Sequence, residues 1–174
     1  MRLWDRWQGK EARETGHGQG GNPGDDATIL NLGGEIVSQR NGEGVLCGYR
    51  VLDVTDERGL LCGRILGDLG ADVIKVEPPG GHPARDIGPF YKDIPDREKS
   101  LFWFFTNTSK RGITLNLETA DGREIFKRLV KTAHFVIESF EPGYMAGLGL
   151  GYEDLEKINP GLVMTSITPF GQKG

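Results

Sequence analysis

Cysteine is scarce: Cys47 and Cys62 are the only two in 174 residues. Two thiols so far apart build no disulfide framework and no metal-ligand spacing, and their sparse use fits a reducing, cytoplasmic compartment. Histidine is almost as rare, at three. His17, His82 and His134 make no metal set and no Ser/His/Asp or Cys/His arrangement that the spacing supports. Long apolar runs are missing, so nothing reads as a membrane span. The opening Met1-Arg-Leu-Trp-Asp-Arg-Trp has charges but no apolar segment behind them, unlike a secretory signal. A basic excess is missing too: the net charge of −4 argues against nucleic acid as a partner, since phosphate binding needs a basic surface. What remains is a globular profile of the length of one domain, or one domain with a tail.

Glycine, by contrast, is abundant at 27 residues, and part of it marks off an N-terminal stretch. Gly16-His-Gly-Gln-Gly-Gly-Asn-Pro-Gly-Asp-Asp has almost nothing to bury and cannot offset its ordering entropy. Residues 1–48 are therefore expected to be a flexible, weakly ordered extension. Ile29-Leu-Asn-Leu and Glu35-Ile-Val-Ser are the short extended pieces within it, punctuated by Gly33-Gly34 and Asn41-Gly42.

From Tyr49 to the C-terminus the pattern alternates between the two periods. Strands are expected at 49–54, 71–76, 113–116, 134–139 and 162–167. Between them, 58–69 repeats its apolar residues (Leu61, Ile65, Leu66, Leu69) at helical spacing. The segment 119–131 is an amphipathic helix with Thr119 as N-cap and Ile125, Phe126, Leu129 and Val130 turned inward. A short helix at 152–158 stops at Asn159-Pro160. Strands alternating with helices predict an α/β fold, a mostly parallel sheet with helices on its faces. Ligands of such sheets sit beyond the carboxyl ends of the strands. Those ends are 55–59, 77–79, 139–143 and 168–172.

Gly59, Gly63 and Gly67 stack on one face of the first helix. Each glycine costs about 1 kcal/mol relative to alanine in a helix, so something must approach closely. Either an anion sits at the helix N-terminus near Gly59, or the helix packs tightly on a strand, which the spacing favours for Gly63 and Gly67. The dinucleotide fingerprint G-x-G-x-x-G is absent, although Glu77 ends a strand as the ribose-binding acid of that fold does. Ser139-Phe140-Glu141-Pro142-Gly143 follows an apolar strand; it is a turn, and its aromatic could hold a purine. Lys110-Arg111 is a solvated pair or a phosphate contact. The residues by themselves lead to a nucleotide-like ligand and stop short of a reaction.

Several elements together, and in order, resemble the family III CoA-transferases, the group of formyl-CoA transferase, carnitine CoA-transferase and the alpha-methylacyl-CoA racemases. They are V-L-D-V-T at 51–55, L-G-A-D-V-I-K-V-E-P-P-G-G at 69–81, N-T-S-K-R-G-I-T-L-N-L at 107–117 and G-R-E-I-F-K-R-L-V at 122–130. Then come V-I-E-S-F-E-P-G at 136–143, L-G-L-G-Y-E-D-L-E-K-I-N-P at 148–160 and S-I-T-P-F-G-Q at 166–172. The resemblance implies a Rossmann-like domain over 49–174, incomplete at its C-terminus, that binds coenzyme A. It implies an interlocked homodimer that moves CoA between an acyl-CoA and a carboxylic acid through an acyl-aspartyl anhydride. It implies no metal. CoA contacts carried over in this way are Arg58 and Gly59 after the first strand, Pro78, the run Leu115, Asn116, Leu117 and Glu118 along the adenosine, and Ser139, Phe140 and Glu141.

The departures from the family pattern matter as much. Pro78 stands where the family often places a cation, Ser139 where it has asparagine, and Gly147 at a basic position. Arg85, Lys110 or Arg111 are the replacements the sequence offers for the phosphates. The catalytic aspartate of the family lies downstream of F-G-Q-x-G, beyond Gly174. This stretch is thus expected to supply part of a CoA cradle without the nucleophile, and to aggregate if left alone. The alternatives are a non-catalytic CoA- or nucleotide-binding piece, an acyl-CoA racemase of the same family, or part of a nicotinamide-dependent dehydrogenase, which the missing glycine fingerprint opposes.

Overall fold

The structure, a computed structural model, describes the backbone of residues 28–30 and 36–38 and all of 44–172. The chain divides into two compact units, Met1–Asn41 and Gly42–Gly174. In the first, strands β1 (Thr28–Leu30) and β2 (Ile36–Ser38) pair antiparallel, where the two short apolar pieces were expected. The glycine-rich 16–26 lies outside the described residues.

The second unit is built on five parallel strands: β3 (Arg50–Asp53), β4 (Asp72–Glu77), β5 (Lys110–Thr114), β6 (Phe135–Glu138) and β7 (Val163–Ser166). Their order across the sheet is β5-β4-β3-β6-β7. The chain winds outward from β3 through β4 to β5, then returns to lay β6 on the other side of β3. This is the doubly wound, Rossmann-like arrangement, with its topological switch point between β3 and β6. The three inner strands, β3, β4 and β6, are buried along most of their length because both faces are covered.

Alternate residues sort cleanly between the two faces. Leu52, Val54, Ile74, Val76 and Val136 face α3 (Ala120–Val130), α4 (Tyr144–Gly147) and α5 (Tyr152–Glu156), where Phe126, Val130, Leu150 and Leu155 are fully buried. Val51, Val73 and Ile137 face the other way, against Cys62 and Leu66 of α1 (Leu60–Asp68). The aromatic run 101–105 opens helix α2 (Leu101–Asn107), whose Trp103 packs on Leu60 and Ala84. Caps fix the starts of two helices: Ser100 Oγ accepts from the Trp103 N–H at 3.0 Å and Thr119 Oγ1 from the Gly122 N–H at 3.1 Å. Among the described residues no helix is long and apolar enough to cross a membrane.

Two expectations are corrected here. The strand-like register at 113–116 begins earlier, at Lys110, because Lys110–Thr114 pairs along Val73–Glu77. In α3, Ile125 is exposed at 38% while Phe126 is fully buried; the buried stripe runs Gly122–Phe126–Val130, and Ile125 stands about 100° off it. In α1 the apolar period is split, with Leu66 on the sheet and the rest toward solvent. Leu61, Ile65 and Leu69 are 47%, 49% and 42% exposed, whereas Leu60 and Gly63 are buried. The glycine face lies inward with Leu60 and Leu66, the close packing that the spacing favours for Gly63 and Gly67.

Candidate functional site at the carboxyl ends of the strands

What the glycine face covers is polar. Asp53 and Lys75 point from the sheet toward α1, and a Cβ on Gly63 would stand 2.2 Å from Asp53 Oδ2. The Asp53 carboxylate accepts from Lys110 Nζ at 2.8 Å, Lys75 Nζ at 3.2 Å and Thr55 Oγ1 at 2.6 Å. Lys75 Nζ also donates to the Thr55 carbonyl, and Lys110 Nζ to the Leu60 carbonyl at 2.7 Å. Burial alone would raise the Asp53 carboxyl; the two ammoniums overcome that and hold it below its ordinary value. Burial pushes both lysines down. This cluster pins the turn between β3 and α1, which carries Asp56 and Arg58.

At the switch point that turn meets the one after β6. Ser139 Oγ donates to Asp56 Oδ1 at 2.7 Å and accepts from the Asp56 N–H at 2.7 Å. Arg58 Nε reaches both Asp56 carboxylate oxygens, at 2.9 and 3.1 Å, and its Nη2 donates to the Ser139 carbonyl at 2.6 Å. Glu141 lies 3.7 Å from Arg58 Nη1. Burial would raise the Asp56 carboxyl, but the hydrogen bonds from Arg58 and Ser139 hold it below the usual range.

Beside this junction a cleft of about 310 Å³ opens across the ends of β3, β4, β5 and β6. Val54, Val76, Leu115, Leu117 and Phe140 form its apolar walls, and Pro78 and Asn116 also line it. Asp56, Glu77 and Glu118 supply three carboxylates to the lining. Tyr144, its ring 4.6 Å from that of Phe140, donates its hydroxyl to Glu118, which pushes the phenol up to about 12. Glu77 is held by Arg85 at 2.7 and 2.9 Å and by the His82 N–H at 3.0 Å. His82 itself is buried against Trp103, and its Nδ1 accepts from the Ala84 N–H at 3.0 Å. The imidazole proton therefore sits on Nε2. Burial and the Lys75 charge push its pKa down to about 4, so the ring is neutral.

The sequence-predicted contacts fall into three groups. Pro78, Leu115, Asn116, Leu117, Glu118 and Phe140 line the cleft. Arg58, Ser139 and Glu141 stand at its edge through Asp56, and Arg85 through Glu77. Gly59 packs against Thr55 and Ile167. Lys110 is enclosed under α1. Arg111 bonds Asp72 at the opposite, amino-terminal end of the strands, at 2.6 to 2.9 Å. Sequence reasoning had no place for His82 or Tyr144. His82 follows a strand end by five residues and was in principle findable by that position; Tyr144 is brought in by the Pro142-Gly143 turn.

The sequence profile described as CoA-transferase family III matches residues 46–174. This chain belongs to the family III CoA-transferases. It is 45% identical over 126 residues to succinyl-CoA:(R)-benzylsuccinate CoA-transferase subunit BbsE of Thauera aromatica, covering 72% of this chain and 31% of that protein. It is 43% identical over 133 residues to succinate–glutarate CoA-transferase of Agrobacterium fabrum, covering 74% and 33% respectively. Among solved structures, Rv3272 from Mycobacterium tuberculosis superposes with a TM-score of 0.68 at 42% identity, over 77% of this chain and 37% of the other. The chain thus spans about a third of the length of the curated relatives it matches. The family's α/β fold is the one described above.

Proposed function

We infer that the protein to which this stretch belongs transfers CoA between an acyl-CoA and a carboxylic acid, in the cytoplasm, as a homodimer of interlocked chains. This stretch supplies the cleft that receives the adenosine end of the nucleotide. The observation that carries the reading is the position of the cleft in a chain of this family. It lies over the carboxyl ends of four parallel strands beside the β3–β6 switch point, where nucleotides bind in doubly wound sheets, and its walls are apolar with a few convergent polar groups. Phe140 and the Leu115–Leu117 wall suit a purine. The phosphates of CoA find no comparable partners, since no lysine or arginine lines the cleft.

The reaction asks for a carboxylate that attacks the thioester carbonyl and is acylated as CoA thiolate leaves. Asp56 is not assigned that role, because Arg58 and Ser139 occupy its oxygens. That commitment favours, as a second reading, a nucleotide-binding part without a nucleophile of its own. Incubating the full protein with succinyl-CoA and a panel of carboxylic acids tests the proposal. New acyl-CoA species by mass spectrometry are expected; hydrolysis alone, or no turnover with any acceptor, would reject transfer.

A further inference from the structure

The buried ions between α1 and the sheet hold one cation in surplus. Asp53, Lys75 and Lys110 have side chains no more than 1% exposed, and the two ammoniums share a single carboxylate. A buried ion pair adds little net stability, because desolvation offsets the attraction, and apolar replacement is often neutral. A second ammonium adds a further desolvation cost with no countercharge of its own. Folding energy alone does not explain Lys75.

Its contacts give a better reason. The two lysines grip opposite ends of one turn. Lys75 Nζ donates to the Thr55 carbonyl just past β3, while Lys110 Nζ donates to the Leu60 carbonyl at 2.7 Å, in the first turn of α1. Thr55 is fully buried, with its N–H 3.0 Å and its hydroxyl 2.6 Å from Asp53 Oδ1. Gly59 closes over it, since a Cβ there would stand 2.6 Å from the Thr55 side chain. The Thr55 carbonyl belongs to the same peptide unit as the Asp56 N–H, which donates to Ser139 Oγ at 2.7 Å. A peptide unit is planar and rigid. Lys75 at one edge and Ser139 at the other therefore fix a single plane, and that plane sets Asp56, which lines the cleft and binds Arg58 and Ser139.

We propose that Lys75 is a positioning residue for CoA: by orienting the Thr55–Asp56 peptide it holds the β3–α1 turn against the β6 turn at the edge of the cleft. The proposal rests on the reading of the protein as a CoA-transferase that binds its nucleotide in the cleft, and it adds a residue enclosed beneath the site.

Two substitutions remove the same charge from the same carboxylate. Lys75→Met frees the Thr55–Asp56 peptide, whereas Lys110→Met frees only the start of α1. Hydrogen exchange followed by mass spectrometry and steady-state transfer from succinyl-CoA, both on the full protein, separate the two. In Lys75→Met the Asp56 amide is expected to exchange about tenfold faster. KM for succinyl-CoA is expected to rise about tenfold with kcat within about twofold, the mark of lost uniform binding. Lys110→Met is expected to speed exchange in the first turn of α1 and to move KM by less than about twofold. Lys75→Gln, uncharged and one atom shorter, is expected to repeat the Lys75→Met result and replaces it if the methionine variant does not fold. Equal effects of the two lysines on KM, or an Asp56 amide that exchanges as before, overturn the proposal. Faster exchange with KM unchanged overturns the link to CoA. An unmodified protein that transfers no CoA overturns the functional reading instead, and the exchange result still decides whether Lys75 orients the turn.

Discussion

His82 does three jobs at once. Its backbone N–H steadies Glu77, its Nδ1 caps the turn at Ala84, and its ring stacks on Trp103. A neutral ring is required for the second of these. Burial and Lys75 lower its pKa from 6.5 to about 4, against the pull of Glu77, Glu57 and Asp56. The unfolded chain therefore binds more protons than the folded one between about pH 4 and 6.5. Stability from this residue is full above pH 6.5 and is lost as the pH falls toward 4, by on the order of 3 kcal/mol. Urea midpoints of the parent and a His82→Gln variant should diverge at pH 7 and converge near pH 4.5. Parallel curves would mean that His82 does not set this acid sensitivity. Asp53, Asp56, Asp72 and Glu77, all held below their ordinary values, add their own losses only at lower pH.

Helix α1 divides its apolar residues between solvent and core. Leu61 and Ile65 face out while Leu60 and Leu66 face in, and Gly63 lets the backbone settle over a carboxylate bound to two ammoniums. Gly63→Ala should cost about 2 kcal/mol or more by overpacking, whereas Gly147→Ala in α4, where an added Cβ meets nothing within 4 Å, should gain up to about 1 kcal/mol. Denaturant unfolding of the two variants measures the contrast, and equal effects would sink this account of α1. The same helix marks the limit of what the sequence could say. The glycine spacing announced a close approach, and the strand–helix alternation placed the sheet and most of its elements. Hydrophobic period alone did not say which face of α1 turns inward, because a buried Asp–Lys cluster leaves no apolar trace in the helix above it. The site was legible to a similar degree. Motifs brought Pro78, Leu115–Glu118 and Phe140 to one cleft. Lys110 and Arg111 looked like free cations only because their partners, Asp53 and Asp72, lie 57 and 39 residues away in the chain.

Taken whole, the second unit exposes much apolar surface. Leu61, Ile65 and Leu69 on α1 and Phe104 and Phe105 on α2 are between 42% and 58% exposed, and Arg64 lies over Phe105 at 4.1 Å. The edge strands β5 and β7 are largely uncovered too. Contiguous patches and open edges of this kind promote association. The 174-residue chain is expected to elute above monomer size on gel filtration, and an Ile65→Lys/Phe105→Lys variant to shift toward monomer. A monodisperse monomer of the parent would contradict this.

The strand order has a further consequence while the chain is being made. Strand β3 can pair with β4, and β4 with β5, soon after they leave the ribosome, but the other edge of β3 waits for β6, whose Phe135 pairs with Val51. Arg50 and His134, which join the two strands as the His134 N–H donates to the Arg50 carbonyl, are 84 residues apart. At translation rates of about 5–20 residues per second, that edge stays open for roughly 4–17 s. A nascent chain stalled before β6 should therefore be a substrate for holding chaperones, and release should coincide with the emergence of residues 135–138.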